Sequence, residues 1–270
     1  MESIFSRLSA VVAAAMVTAC LLVPLVDQNP VSAESILASP SFEDAALYRV
    51  RTESLDLSET DTYPQKVRLT HEDGGPYDLE VLVKSPDYHN YPSVHISRYN
   101  CPDEVQPYLA PTEQVQSDLF ELCRLAGTVA PHQTNVLDVA GESALWVSNY
   151  LEADLEQEDT LLHGDYTARS VREILDEKQG SSCEYNTLFL AMMRAKGIPA
   201  RMVAGCRFGN ETEPVLWSEV YCQGYGWVAV DPRLGNLGVP DNYIRLFAGS
   251  DYDDLGVQLS QVSAQVSEIF

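Results

Sequence analysis

The spacing of apolar residues changes once, at Gly197, and no other feature limits the fold as sharply. Before it, Tyr185, Leu188, Phe189 and Met192 recur at i, i+3, i+4 and i+7, which predicts a core-facing helix through "CEYNTLFLAMMRAK". Gly197 and Pro199 stop that helix. After them, "ARMVAGC", "LWSEVYC" and "GWVAVD" are short runs separated by Gly-containing breaks, the pattern of antiparallel strands. One helix delivered onto such a sheet predicts an α+β core. Ser181, with Glu184 three residues on, forms a capping box at the start of the helix and accounts for both residues without chemistry.

Upstream, the patterning is of two kinds. From "ALYRVRTESLDL" to "DLEVLVKSPDYHNYPSVHISRY" apolar and polar residues alternate in short runs, so residues 46–100 read as a small β-rich unit. "EQVQSDLFELCRLAG" and "GESALWVSNYLEADL" carry apolar residues at three and four spacing and read as helices. "HGDYTARSVREILDEKQG" reads as a third, closed by Gly180. Trp217 and Trp227 sit within apolar runs, as core anchors do.

The N-terminus reads as an export signal: Arg7, a predominantly apolar stretch from Leu8 to Val26, and a small-residue cleavage site at Val31-Ser32-Ala33. The stretch is 19 residues long, so an uncleaved membrane anchor is the alternative, and lipidation at Cys20 a third. Removal of the signal leaves Cys101, Cys123, Cys183, Cys206 and Cys222, an odd number, so at least one thiol is free or pairs outside the chain. Outside the cytoplasm disulfides persist, and Cys101–Cys123 and Cys206–Cys222 are the candidate bridges, the latter pair being equally readable as small buried apolar residues. No C-x-x-C or H-x-x-x-H pattern supports a metal site, and no cofactor is expected. The net charge of −23 argues against nucleic acid and anionic lipid surfaces as partners.

Gly180, "EYNTLF" from Glu184, "RAKGIPAR" from Arg194, "WSEV" from Trp217 and "GWVAVDP" from Gly226 resemble, in that order, the core of the transglutaminase-like superfamily. The resemblance covers residues 137–258, including "RLFAGSDYDDL", and implies a papain-like fold and, in active members, a Cys-His-Asp triad for acyl transfer or amide hydrolysis. It divides the chain into a signal peptide (1–33), a tether (34–45), an N-terminal β-rich region with a helix (46–136), the transglutaminase-like domain (137–258) and a C-terminal tail (259–270).

The triad is where this sequence departs from the resemblance. Counting back from the Gly of the G-I-P turn places the family's nucleophile on Ser182, one residue before Cys183; a single helical step turns a side chain by about 100°. The family's histidine falls on Val215, and Asp231 keeps the third position. Ser182, Val215 and Asp231 are therefore the degenerate triad, and Asp231 is expected to pair with Arg233 or Arg201. Cys183 is the alternative nucleophile, near a helix N-terminus that favours a thiolate. The histidines are His71, His89, His95, His132 and His163, and only His163 lies within the resembling core as a replacement base.

The expectation that follows is an exported (secreted, periplasmic or cell-surface), catalytically lost member that binds a protein, peptide or cell-envelope polymer, with no membrane contact beyond an uncleaved signal or lipid anchor. The competing readings are a cysteine-dependent acyl transferase or amide hydrolase using Cys183 with an upstream histidine, and a purely structural module.

Overall fold

In the computed structural model, residues 42, 44–71, 76–84, 93–96, 101–209 and 211–269 are described. The expected signal and tether lie almost wholly outside them, as does His89. No helix among the described residues is long and apolar enough to cross a membrane.

The alternating N-terminal segment forms β1 (Ala46–Thr52), β2 (Gln65–His71) and β3 (Tyr77–Val83), with one helical turn, α1 (Leu57–Thr60), between the first two. Helices α2 (Phe120–Thr128) and α3 (Val136–Tyr150) follow; both begin away from their expected starts. A two-residue strand, β4 (Glu152–Ala153), leads into α4 (Leu155–His163) and α5 (Val171–Glu177). α5 is closed not by Gly180 but by Lys178, in the left-handed conformation at φ 56°, and Gly180 instead belongs to β5 (Gln179–Gly180), parallel to β4. A side chain on Gly180 would strike Glu184 Cβ at 2.4 Å, so this residue is fixed by close approach to the next helix.

That helix, α6 (Ser182–Ala195), is surrounded on all sides. Thirteen of its fourteen residues are buried, where the sequence predicted one apolar stripe. Its polar residues Glu184, Asn186 and Thr187 are wholly inaccessible and carry internal hydrogen bonds or contacts. Gly197, at φ 76°, turns the chain into the sheet formed by β6 (Ala200–Arg207), β7 (Glu213–Cys222), β8 (Gly226–Asp231), β9 (Asn236–Leu237) and β10 (Tyr243–Gly249), in the spatial order β10-β6-β7-β8-β9. Neighbouring strands are antiparallel throughout. The fold is α+β, a helix packed on an antiparallel sheet.

The segment expected as a tail holds a strand, β11 (Ala264–Glu268), which pairs antiparallel with β1 and completes a second sheet in the order β11-β1-β3-β2. None of the five described cysteines is bridged. For Cys206 and Cys222 the register explains it: Cys206 lies opposite Pro214, eight residues from Cys222 along β7. At about 3.3 Å per residue they stand roughly 26 Å apart, against the 7 Å limit for a disulfide. Both are buried, with thiol pKa values pushed up to about 12 and about 11 by desolvation. The apolar reading of this pair therefore holds.

Candidate functional site

Because side chains alternate along strands, the β6-β7-β8-β10 sheet has two unlike faces. Met202, Ala204, Leu216, Val220, Val228, Val230 and Ile244 point into the core beneath α6. Val203, Trp217, Ala229 and Tyr243 form a separate small cluster on the other face, with Val215 beside it. A link between side chains ties the start of α6 to the inner face: Ser218 Oγ donates to Asn186 Oδ1 at 2.6 Å, and Asn186 Nδ2 donates to the Ser182 carbonyl at 2.7 Å. The first turn of α6 is thus held against the middle of β7.

Ser182, Val215 and Asp231 line one cavity of about 340 Å³ at the N-terminus of α6, between α4 and the ends of β6, β7 and β8. Glu158, which the sequence did not single out, and Arg233, named there only as a partner for Asp231, share its wall. Glu158, on α4, accepts from the Ser182 N–H at 2.6 Å and from Ser182 Oγ at 2.8 Å. Its carboxylate caps α6, where the helix dipole favours negative charge. Arg233 donates to Ser182 Oγ at 2.6 Å and pairs with Glu158 at 2.5 Å. A serine hydroxyl becomes nucleophilic when an adjacent base takes its proton; the acceptor here is not an imidazole but the Glu158 carboxylate, itself ion-paired to Arg233, and the guanidinium only donates.

Asp231 is 7% exposed and is answered differently from expectation. Its Oδ1 accepts from the backbone N–H groups of Arg233 (3.1 Å) and Leu234 (3.0 Å), an Asx-type turn, while the Arg233 side chain goes to Glu158. Burial raises its pKa above the ordinary carboxylate value, with those two N–H groups and then the Arg233 and Arg207 charges opposing the rise. Arg201 is committed elsewhere, to Glu219 and Glu59.

Cys183 is fully buried, pointing into the core rather than the cavity, with Thr187 Oγ1 at 4.0 Å. Desolvation and then the Glu184 charge push its thiol pKa well above the usual value. The helix N-terminus that was expected to favour a thiolate is outweighed by burial. The capping box is present as expected: Ser181 N–H and Oγ donate to Glu184 Oε2 at 2.8 and 2.7 Å, and Ser181 Oγ accepts from the Cys183 N–H. Tyr166 donates to Glu184 Oε1 and Arg169 stands 3.5 Å from Oε2, so this buried carboxylate is fully answered.

His163 is on α4 with its side chain 71% exposed, paired to Asp159 at 3.1 Å. It does not line the cavity, and neither do His71, His95 or His132. A larger recess of about 670 Å³, walled in part by Tyr48, Phe208, Asp241 and Glu268, adjoins the cavity through Arg207, Asp231, Leu234 and Tyr243. Arg207 is paired across the strand ends with Glu213. Among the described residues no group of three or more His, Cys, Asp or Glu side chains is placed to hold a metal ion.

Trp217 is a core anchor at 2% exposure; Trp227 is half-buried, stacked on the Arg201 guanidinium at 4.2 Å. Around that contact a second polar cluster is built. Glu219 takes Arg201 and Arg245, Arg201 also reaches Glu59 of α1, and Gln65 of β2 donates to the Arg245 carbonyl. The N-terminal sheet is joined to the outer face of the core sheet through this seam.

Residues 124–232 match the family model described as the transglutaminase-like superfamily. No curated protein matches the sequence. Among solved structures, a protein from Cytophaga hutchinsonii provisionally designated a cysteine protease superposes with a TM-score of 0.56 at 17% identity, over 83% of this chain and 86% of that one. The periplasmic domain of TgpA from Pseudomonas aeruginosa gives 0.40 at 21% identity, over 60% of this chain and 55% of that one. Red sea bream transglutaminase gives 0.39 at 14% identity, over 73% and 48%. With the helix, the sheet and the three triad positions gathered at one cavity, the family match completes the assignment: over residues 124–232 the chain carries a domain of the transglutaminase-like superfamily.

Proposed function

We propose that the chain is an exported, non-catalytic transglutaminase-like protein that binds a protein, peptide or cell-envelope ligand in the cavity at the α6 N-terminus. One observation carries the reading. Where the superfamily's thiol and imidazole would face each other, Ser182 is tied to Glu158 and Arg233, and Val215 supplies no proton acceptor. Losing a triad's nucleophile or base costs on the order of a million-fold in turnover in a well-studied hydrolase, more than an intact cleft makes up by binding alone. The cleft keeps a shaped wall with an apolar rim at Leu234, 62% exposed. The N-terminal signal pattern supports a location outside the cytoplasm.

The test is an acyl-transfer and amide-hydrolysis assay on the full chain, run beside Cys183→Ala and beside Ser182→Cys with Val215→His. Background rates are expected for the wild type, for Cys183→Ala and for each single restoration, with turnover only in the double variant. Wild-type turnover that Cys183→Ala abolishes would sink the proposal. Retention of solubilised cell-envelope polymer or of arrayed peptides, weakened about tenfold by Leu234→Glu, tests the binding half.

A further inference from the structure

On the outer face of the core sheet, where β2 and the end of β3 cover it, lies a cavity of about 30 Å³. It is separate from the Ser182 cleft and has no part in the function proposed above. Its walls are mostly apolar, with Trp217, Tyr243, Arg245, Glu219, Gln65 and Lys84 as the members that carry polar groups. Two of these carry N–H groups that are buried and have no hydrogen-bond partner within the protein, the indole Nε1 of Trp217 and the Nε of Arg245. Trp217 and Arg245 are each 2% exposed, so neither donor can turn to bulk water. An unanswered buried donor destabilises the fold that holds it. Two in side chains that wall one cavity are a reason to look for an acceptor.

The carboxylate and amide acceptors in the wall are already used. Glu219 Oε1 takes Arg245 and Oε2 takes Arg201; Gln65 Oε1 takes the Arg245 backbone N–H at 2.9 Å. An occupant would therefore meet donors and little that accepts. Water needs both, with two to four partners, whereas an anion only accepts. A water-sized guest needs about 10–15 Å³ of such volume, so the cavity has room for one small ion. Charge points the same way. Arg201 and Arg245 are balanced by Glu219 and Glu59, which leaves Lys84, without an ion pair among the described residues, as an excess positive charge on the wall. Burial pulls the Arg245 pKa down to about 10, with the Glu219 charge opposing the fall.

We infer that this cavity is a site for one small monovalent anion, of halide or formate size, held by Trp217 Nε1, Arg245 Nε and Lys84. Its occupant would bridge β2 and β3 to the outer face of the core sheet and so strengthen their docking.

Bromide serves as the probe, titrated into the full chain with sodium gluconate holding the ionic strength constant. Saturable quenching of tryptophan emission is expected in the wild type, together with a thermal midpoint roughly 2–4 °C higher in bromide than in gluconate. Trp217→Phe should remove the saturable part and leave the linear quenching of Trp146 and Trp227. Lys84→Met, at a half-buried position at the end of β3, should weaken bromide about tenfold, and it keeps the test decisive if Trp217→Phe does not fold. Linear quenching alike in wild type and Lys84→Met, with equal midpoints in both salts, would mean a water-filled cavity and overturn the inference.

Discussion

The two faces of the core sheet are built on opposite terms. The inner face is apolar and close-packed against α6, with the Ser218–Asn186 link and the bond from Arg194 to the Ala200 carbonyl as polar contacts. The outer face carries Arg201, Glu219, Arg245 and Asp231, all under 10% exposed, among the aromatic rings of Trp217 and Tyr243. On the inner face a lost methyl group removes contacts, and the cost scales with the hole left behind. On the outer face a lost charge strands its partner in a place water cannot reach. Neighbours in sequence, Ile244 and Arg245, thus answer to different physics because the strand turns them to opposite sides.

The sharpest way to break that comparison is Glu219→Ala. It leaves Arg201 with Glu59 alone and Arg245 with no carboxylate, and a loss of about 3–5 kcal/mol in denaturant unfolding is expected. A loss under about 1 kcal/mol would mean that the seam is solvated and the contrast unreal. On the inner face Ile244→Val should cost only about 0.5–1.5 kcal/mol by the same measurement.

Asp231→Asn sharpens the picture with the opposite sign. A carboxylate whose folded pKa is raised stabilises the protein below its unfolded pKa, and that contribution is lost as pH rises through the folded value. The amide keeps an oxygen for both backbone N–H groups, so the variant should melt higher than wild type at pH 7, and the gap should close below about pH 4. A lower midpoint at pH 7 would show that the charge itself is needed. Two smaller expectations complete the set. In the folded chain a thiol reagent at neutral pH should modify exposed Cys123 and spare buried Cys183. His163→Ala should change stability by no more than about 0.5 kcal/mol.

Much of the core could be read from local pattern. The period change at Gly197 places α6 and β6 to β8, and the capping box at Ser181 places the start of the helix. The three triad positions came from the family resemblance, and the structure gathers them at one cavity. What pattern could not supply was pairing over distance. Glu158 lies 24 residues before Ser182 on a charged, mostly exposed helix, and nothing local marks it as the carboxylate that caps α6. Lys178, not Gly180, takes the left-handed cap of α5, and Gly180 is held instead by close approach to Glu184. The last strand was missed because "AQVSE" is short, polar and half-exposed, and only the free edge of β1 makes it a strand.

That last pairing sets an order of events. β1 and β11 are joined across more than two hundred residues, so the second sheet can close only after residue 268 has been made and has reached the same side of any membrane as residue 46. Until then β1 presents a row of unpaired backbone groups, an edge open to pairing with other chains. For a chain made N-terminus first, the interval before β11 arrives is one of exposure to aggregation. A chain cut before Ala264 would stay in that state, with soluble yield as the quantity to measure.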